Sequence, residues 1–309
     1  MKSTFLILLF SLLAQLNLSA QNEYSTFIAK AKIHANKNEH DQSLKLHLKA
    51  FEYARPLTFD CMFALKESIQ LKNDSVTNEL ALLCSSIGCT NSQLDKIDFG
   101  AFKNSNYWER YLEKRDSINI EYDKNLDHEW ITDIGKMEFM DQQIRGVFMS
   151  SFNDSAKREE AIIAMSVIDS LNFNYLVKKT KEKGFPTPIT VGQRWFDNAF
   201  LILWHHRGSE FYENPLWIEI KPYIEKEINA GNIPKSFFAM FEDHYRIMNE
   251  KPMLYGSLYG YYRNSEEYNT LTVYDQPNLN KRRKEIGLCT LELWLESLEL
   301  QIPKSLYPK

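Results

Sequence analysis

Between Trp130 and Phe148 the apolar residues Trp130, Ile134, Met137, Ile144 and Phe148 return at steps built from three and four. That repeat belongs to a helix with one buried stripe and cannot serve a strand, whose faces alternate every second residue. The same spacing recurs in Phe27, Ala31 and His34, in Leu44, Leu48 and Phe51, and in Leu291, Trp294, Leu295 and Leu298. A chain patterned this way at both ends and in the middle must be mainly α. At 309 residues and 44% hydrophobic content it carries enough apolar surface for two modest cores.

The first third reads as paired helices. Asn38 opens a polar turn after the first stripe, Pro56 closes the second, and small residues at Ser43 and Ala50 let the two helices approach. The stretch DQSLKLHLKAFEYARP, Asp41 to Pro56, resembles the second half of a tetratricopeptide repeat, whose period is about 34 residues. A more degenerate unit follows, with helices over Phe59–Leu71 and Val76–Ile87, a turn at Lys72–Asp74, and Gly88 as the cap. Trp108, Tyr111 and Leu112 begin a further helix that caps the stack, so the repeat region is read as 21–122 and a second helical domain as 123–309. Such an array implies either a concave surface for a peptide or protein partner, or a spacer for the second domain. His34, His40 and His47 are expected on helix surfaces or turns.

The N-terminus, MKSTFLILLFSLLAQLNLSAQ, has a lysine, a short apolar core and small residues at Ser19 and Ala20. This is the pattern of an export signal, residues 1–20, cut after Ala20, so the mature chain is expected to be periplasmic or secreted. No later segment is long and apolar enough for a membrane span. The balance of 37 basic against 41 acidic residues, without a run of either sign, excludes a polyanion footprint, and nucleic acid is not an expected partner. Export permits disulfides among Cys61, Cys84, Cys89 and Cys289. Helices pairing about a turn near Asn73 bring Cys61 almost opposite Cys84, so either a bridge from Cys61 to Cys84 or Cys89, or a set of buried thiols, fits the pattern.

In the second part, Asp141 and Arg145 form an i,i+4 pair beside an apolar stripe, and either brace the core or serve chemistry. The run AFLILWHHRG, 199–208, ends an almost wholly apolar helix at two histidines. Helical phase sets His206 with Trp195, Ala199 and Ile202 as a packed histidine, and His205 with Arg194 and Asn198 as the one that meets a polar pocket. LYGSLYGYY (254–262) and LTVY (271–274) alternate around a polar loop and predict a small two-stranded β-hairpin.

In order, DQQIR (141–145), DSLN (169–172), GFP with VG (184–192), the His205 region, Asp243, YGS (255–257) and RRKEIGL (282–288) resemble a bacterial domain family of uncharacterised function, usually exported. The resemblance spans about 125–299 and rests on order and spacing. It implies that Asp141, Arg145, Asn172, His205, Asp243, Tyr255 and Arg283 gather in one place, and it implies no activity. Trp204 and Met253 stand where that pattern has glutamine, His244 where it has arginine, and Phe185 where it has tryptophan; the loss of amides and a guanidinium points to an altered or retired site.

His205, His206, Asp243 and His244 have the atoms of a metal site but no ligand spacing such as HExxH, and no metal is expected. The chain has no GxSxG elbow, phosphate loop or dinucleotide fingerprint, so no cofactor is expected. The reading is therefore an exported binding protein: helical-hairpin repeats packed on a helical domain with a small hairpin, with Asp141, Arg145, Asn172, Tyr255 and Arg283 around a peptide, protein or small anionic ligand. The alternative is a hydrolase-like enzyme with a catalytic His205–Asp243 pair and Arg145 or Arg283 as an anion clamp.

Overall fold

A computed structural model describes residues 17–208 and 210–306 of the chain, with side chains from residue 20. The predicted export signal, 1–20, lies outside the described residues except for 17–20, which open the first helix. Thirteen α-helices and several short 3-10 turns make up the described secondary structure, and none of the described helices is long and apolar enough to cross a membrane. The fold divides into two compact units: one holds residues up to Asn125, Pro234–Asp243 and everything from Lys251, the other Leu126–Ile233 and His244–Glu250.

The first unit begins with α1 (Asn17–Asn36), α2 (His40–Phe51), α3 (Thr58–Gln70) and α4 (Asp74–Ser86), each packed on the next. Ser43 and Ala50 are wholly buried, as close helix approach requires. Asn73 caps α4 by accepting from the Val76 N–H, and Gly88, at φ +101°, reverses the chain after it. Beyond the short α5 (Asn91–Leu94), α6 (Trp108–Lys124) packs on α4, and Leu65, Leu80, Leu94, Phe102 and Tyr111 share one core. His47 lies inside this core and not on a helix surface; its Nδ1 is 3.0 Å from the Ser43 carbonyl one turn back. Two late helices, α12 (Leu279–Glu285) and α13 (Leu291–Ser297), pack on α1, where Asn22 Nδ2 donates to the Leu288 carbonyl and Ser25 Oγ to that of Gly287.

The second unit is built on a long antiparallel pair, α7 (His128–Ser150) and α8 (Ser155–Lys183), capped by Asp127 and Asp154. Against it lie α9 (Gln193–His205), packed on both, and α10 (Pro215–Asn229), packed on α8. The outer faces of α7 and α8 leave Phe139, Val147, Ile163 and Val167 exposed. The division between the units falls inside α11 (Ala239–Met248), just after Asp243.

The predicted β-hairpin is not present: among the described residues there is no strand. The only ladder-like feature there is an isolated parallel bridge between Met253 and Val273, in which Met253 N–H donates to the Thr272 carbonyl and Tyr274 N–H to that of Met253. The reason lies in a carboxylate from outside the segment. The Leu254, Tyr255 and Ser257 N–H groups that a strand would offer its neighbour are all taken by the buried Asp243 carboxylate. Gly256 then turns the chain at φ +65°, and Leu258 and Tyr259, adjacent in sequence, are both buried, which a strand's alternation forbids.

Candidate functional site

Seven residues were expected in one place; the structure distributes them over two units, as two separate polar clusters.

In the first unit, Asp243 is fully buried. One oxygen accepts from the N–H groups of Leu254 (2.7 Å) and Tyr255 (3.0 Å), the other from the N–H (2.7 Å) and hydroxyl (2.8 Å) of Ser257. Burial pushes its pKa up and these bonds pull it down. Burial is the larger influence, so the carboxyl stands above its ordinary value although the four donors oppose it. Arg283, 1% exposed, donates from Nε to the Cys289 carbonyl (2.7 Å) and from Nη1 to the Tyr255 carbonyl (2.6 Å). Tyr255 thus joins the cluster through its backbone at both ends and not through its phenol. Asp243, Tyr255 and Arg283 hold a loop: the carboxylate accepts from three backbone N–H groups and the Ser257 hydroxyl, and Arg283 donates to two backbone carbonyls.

The second unit brings together Asp141, Arg145 and His205, and adds Asp169. Asp141 sits on the inner face of α7, 1% exposed, with Oδ1 2.7 Å from His205 Nδ1 and 2.8 Å from Arg145 Nη1, and with Oδ2 accepting from Gln142 (2.7 Å). Arg145 Nη2 reaches across to α8 and meets both Asp169 oxygens, at 2.9 and 3.0 Å. Burial pushes the Asp169 pKa up and the Arg145 charge opposes it. The next turn of α8 is braced as well: Asn172, one turn beyond Asp169 and buried, donates from Nδ2 to the Met137 carbonyl (3.0 Å). His205 therefore has Asp141 as its carboxylate partner in place of the expected Asp243.

Ligand atoms of Asp141, Asp169 and His205 lie within 4.8 Å of one another, the dimensions of a metal site. The guanidinium of Arg145 already bridges the two carboxylates and offsets one of their two charges, and a divalent ion would have to displace it.

His205 and Asp169 open onto a pocket of about 390 Å³. Its walls are Ile162, Met165, Ser166 and Ser170 of α8, His206, Arg207, Glu210 and Phe211 of the following segment, and Trp217 of α10. With Nδ1 committed to Asp141, the ring nitrogen left to the pocket is Nε2, which is not among the buried polar atoms lacking a partner and so retains access to solvent. His206 packs on Phe173 with ring centroids 4.4 Å apart, and burial pushes its pKa down. Trp204 and His244, two of the residues that depart from the ordered motif, touch each other edge to face at 5.5 Å, and the Arg207 guanidinium lies 4.0 Å over the Trp204 ring. A buried tryptophan, a histidine and a stacked cation thus pack on one another, and of the three Arg207 alone lines the pocket.

Sequence reasoning missed Asp169 and the pocket lining. Asp169 carried a signal, an acid at the head of DSLN on the same helix as Asn172; Arg207, Glu210 and Trp217 carried none, because only the return of α10 onto α8 brings them round His205.

The fold and site define a mainly α protein with a guanidinium-bridged Asp–Arg–Asp–His network at the edge of a polar pocket. The chain matches no protein family, no curated protein and no solved structure.

Proposed function

We propose that this is an exported protein that binds a small anionic ligand with an apolar portion in the pocket of the second unit, and that His205 Nε2 makes the decisive hydrogen bond. The observation that carries this reading is the 2.7 Å contact from the buried Asp141 carboxylate to His205 Nδ1, which fixes the ring and leaves its other nitrogen to the pocket. Arg207 sets a positive charge on the same wall, opposite in sign to Glu210, Asp169 is paired with Arg145, and Phe211 and Trp217 offer an apolar surface. Export is supported by the Met1–Ala20 pattern, and the resemblance of the ordered motifs to those of a usually exported, uncharacterised bacterial family agrees with it. On this reading the helical pairs of the first unit, with their tetratricopeptide-like spacing, offer a surface to a peptide or protein partner.

Calorimetric titration of the full chain with benzoate, acetate and inorganic phosphate tests it. Benzoate should bind most tightly, and His205→Gln should weaken it about tenfold or more, the worth of one hydrogen bond to a charged group. Equal binding by His205→Gln, or binding of none of the three, would defeat the proposal. A second reading, proton transfer by His205 in a catalysed reaction, is favoured by the same Asp141–His205 pair, which is how a carboxylate orients a general base. It requires that Asp141→Asn abolish turnover while leaving benzoate affinity within a few fold.

A further inference from the structure

We propose that Cys61 of α3 and Cys84 of α4 form a disulfide that staples this helix pair, with Cys89 left as a buried thiol. In the structure both residues are thiols, and their sulfurs are 2.9 Å apart. A disulfide needs about 2.05 Å, so an approach of roughly 0.9 Å completes the bond. Two thiols held that close within a core gain little from each other, since S–H groups are weak donors and sulfur a weak acceptor.

The choice of partner follows from the neighbours. Cys89 also lies against Cys84, but its own Sγ faces the Thr58 carbonyl at 3.8 Å, and its backbone N–H is bound to the Cys84 carbonyl (2.9 Å) in the turn that Gly88 makes. A bond between Cys84 and Cys89 would span only that turn. A bond between Cys61 and Cys84 joins two adjacent helices and closes a loop of about two dozen residues, where a cross-link removes far more freedom from the unfolded chain.

Cys61 and Cys84 are both 0% exposed, so an oxidant cannot reach them in the folded unit. Contact with Cys61, then with Cys89, then burial all push the Cys84 thiol pKa up, so the folded thiol is also a poor nucleophile. The bond therefore forms while α3 and α4 are assembling. One cysteine thiolate attacks glutathione disulfide and releases one glutathione thiolate; the second cysteine thiolate attacks the mixed disulfide and releases the other. Two cysteines are oxidised and one glutathione disulfide is reduced to two glutathione thiols, the departing thiolates taking up the two protons that the cysteines give up.

The test is to reduce and unfold the full chain, refold it in a glutathione redox buffer, alkylate, digest and map the peptides by mass. The expected product links the Cys61 and Cys84 peptides and carries alkyl label on Cys89 and Cys289 after denaturation. Reductant should then lower the melting temperature of the oxidised protein by several degrees, about 5–10 °C. Cys89→Ala and Cys289→Ala should keep that response, and Cys61→Ala should lose it. A Cys84–Cys89 link would overturn the proposal, as would four alkylated cysteines or a melting temperature indifferent to reductant.

Discussion

Replacing Asp243 separates a structural role from a catalytic one. In Asp243→Ala the N–H groups of Leu254, Tyr255 and Ser257 lose their acceptor together, as does the Ser257 hydroxyl. A buried donor left without a partner costs about 1–3 kcal/mol, so three of them give on the order of 3–6 kcal/mol once some water is allowed into the loop. A domain's whole stability is about 5–15 kcal/mol, so the loss should be large on any denaturation curve. Asp243→Asn keeps one oxygen for Leu254 and Tyr255 but turns an amide N–H₂ toward the Ser257 N–H, at about 2 kcal/mol; Ser257→Ala removes a single hydroxyl bond, at about 1 kcal/mol. Urea unfolding followed by far-ultraviolet circular dichroism should therefore rank the variants Asp243→Ala, Asp243→Asn, Ser257→Ala from least to most stable. Loss of less than about 1 kcal/mol in Asp243→Ala would refute the reasoning, because the loop would then not depend on the carboxylate.

Burial, and after it the Arg207 charge, push His244 down to about 4, and burial lowers His206 as well, so the unfolded chain binds more protons than the folded one between about pH 4 and the ordinary histidine value near 6.5. Stability is full above that value and falls as pH drops through the window; urea midpoints between pH 7 and 4.5 should show this, and His244→Phe should flatten the slope. Arg145→Lys replaces a fork that meets two carboxylates with a single ammonium, and because the pair is partly exposed the expected cost is about 1–2 kcal/mol in thermal unfolding. Gly88→Ala puts a Cβ 2.4 Å from the Tyr122 hydroxyl at φ +101°, and should cost about 2 kcal/mol or more, with part of the loss restored in Gly88→Ala/Tyr122→Ala.

The helices were legible because their signals are local. Apolar steps of three and four, the polar turn at Lys72–Asp74, and Gly88 as a stop act within one or two turns, so the chain announces them without its tertiary partners. Phase along 194–206 likewise separates the environments of His205 and His206, since a helix fixes which side chains share a face. The hairpin was misread for the opposite reason. Alternation at 254–262 and 271–274 is a local signal, but a distant carboxylate, Asp243, captured the N–H groups that would have built the ladder.

What the sequence determined by itself is a mainly α chain, its helix limits, and the acids, imidazoles and guanidiniums that sit at the edges of apolar stripes. Only the tertiary structure decided which of them meet: it gave His205 to Asp141, bridged Asp141 and Asp169 with Arg145, and spent Asp243 and Arg283 on one loop. Periodicity sets which face of a helix is buried, whereas the partner of a polar group on that face depends on which other helix arrives there, and that is fixed by packing many residues away in the chain.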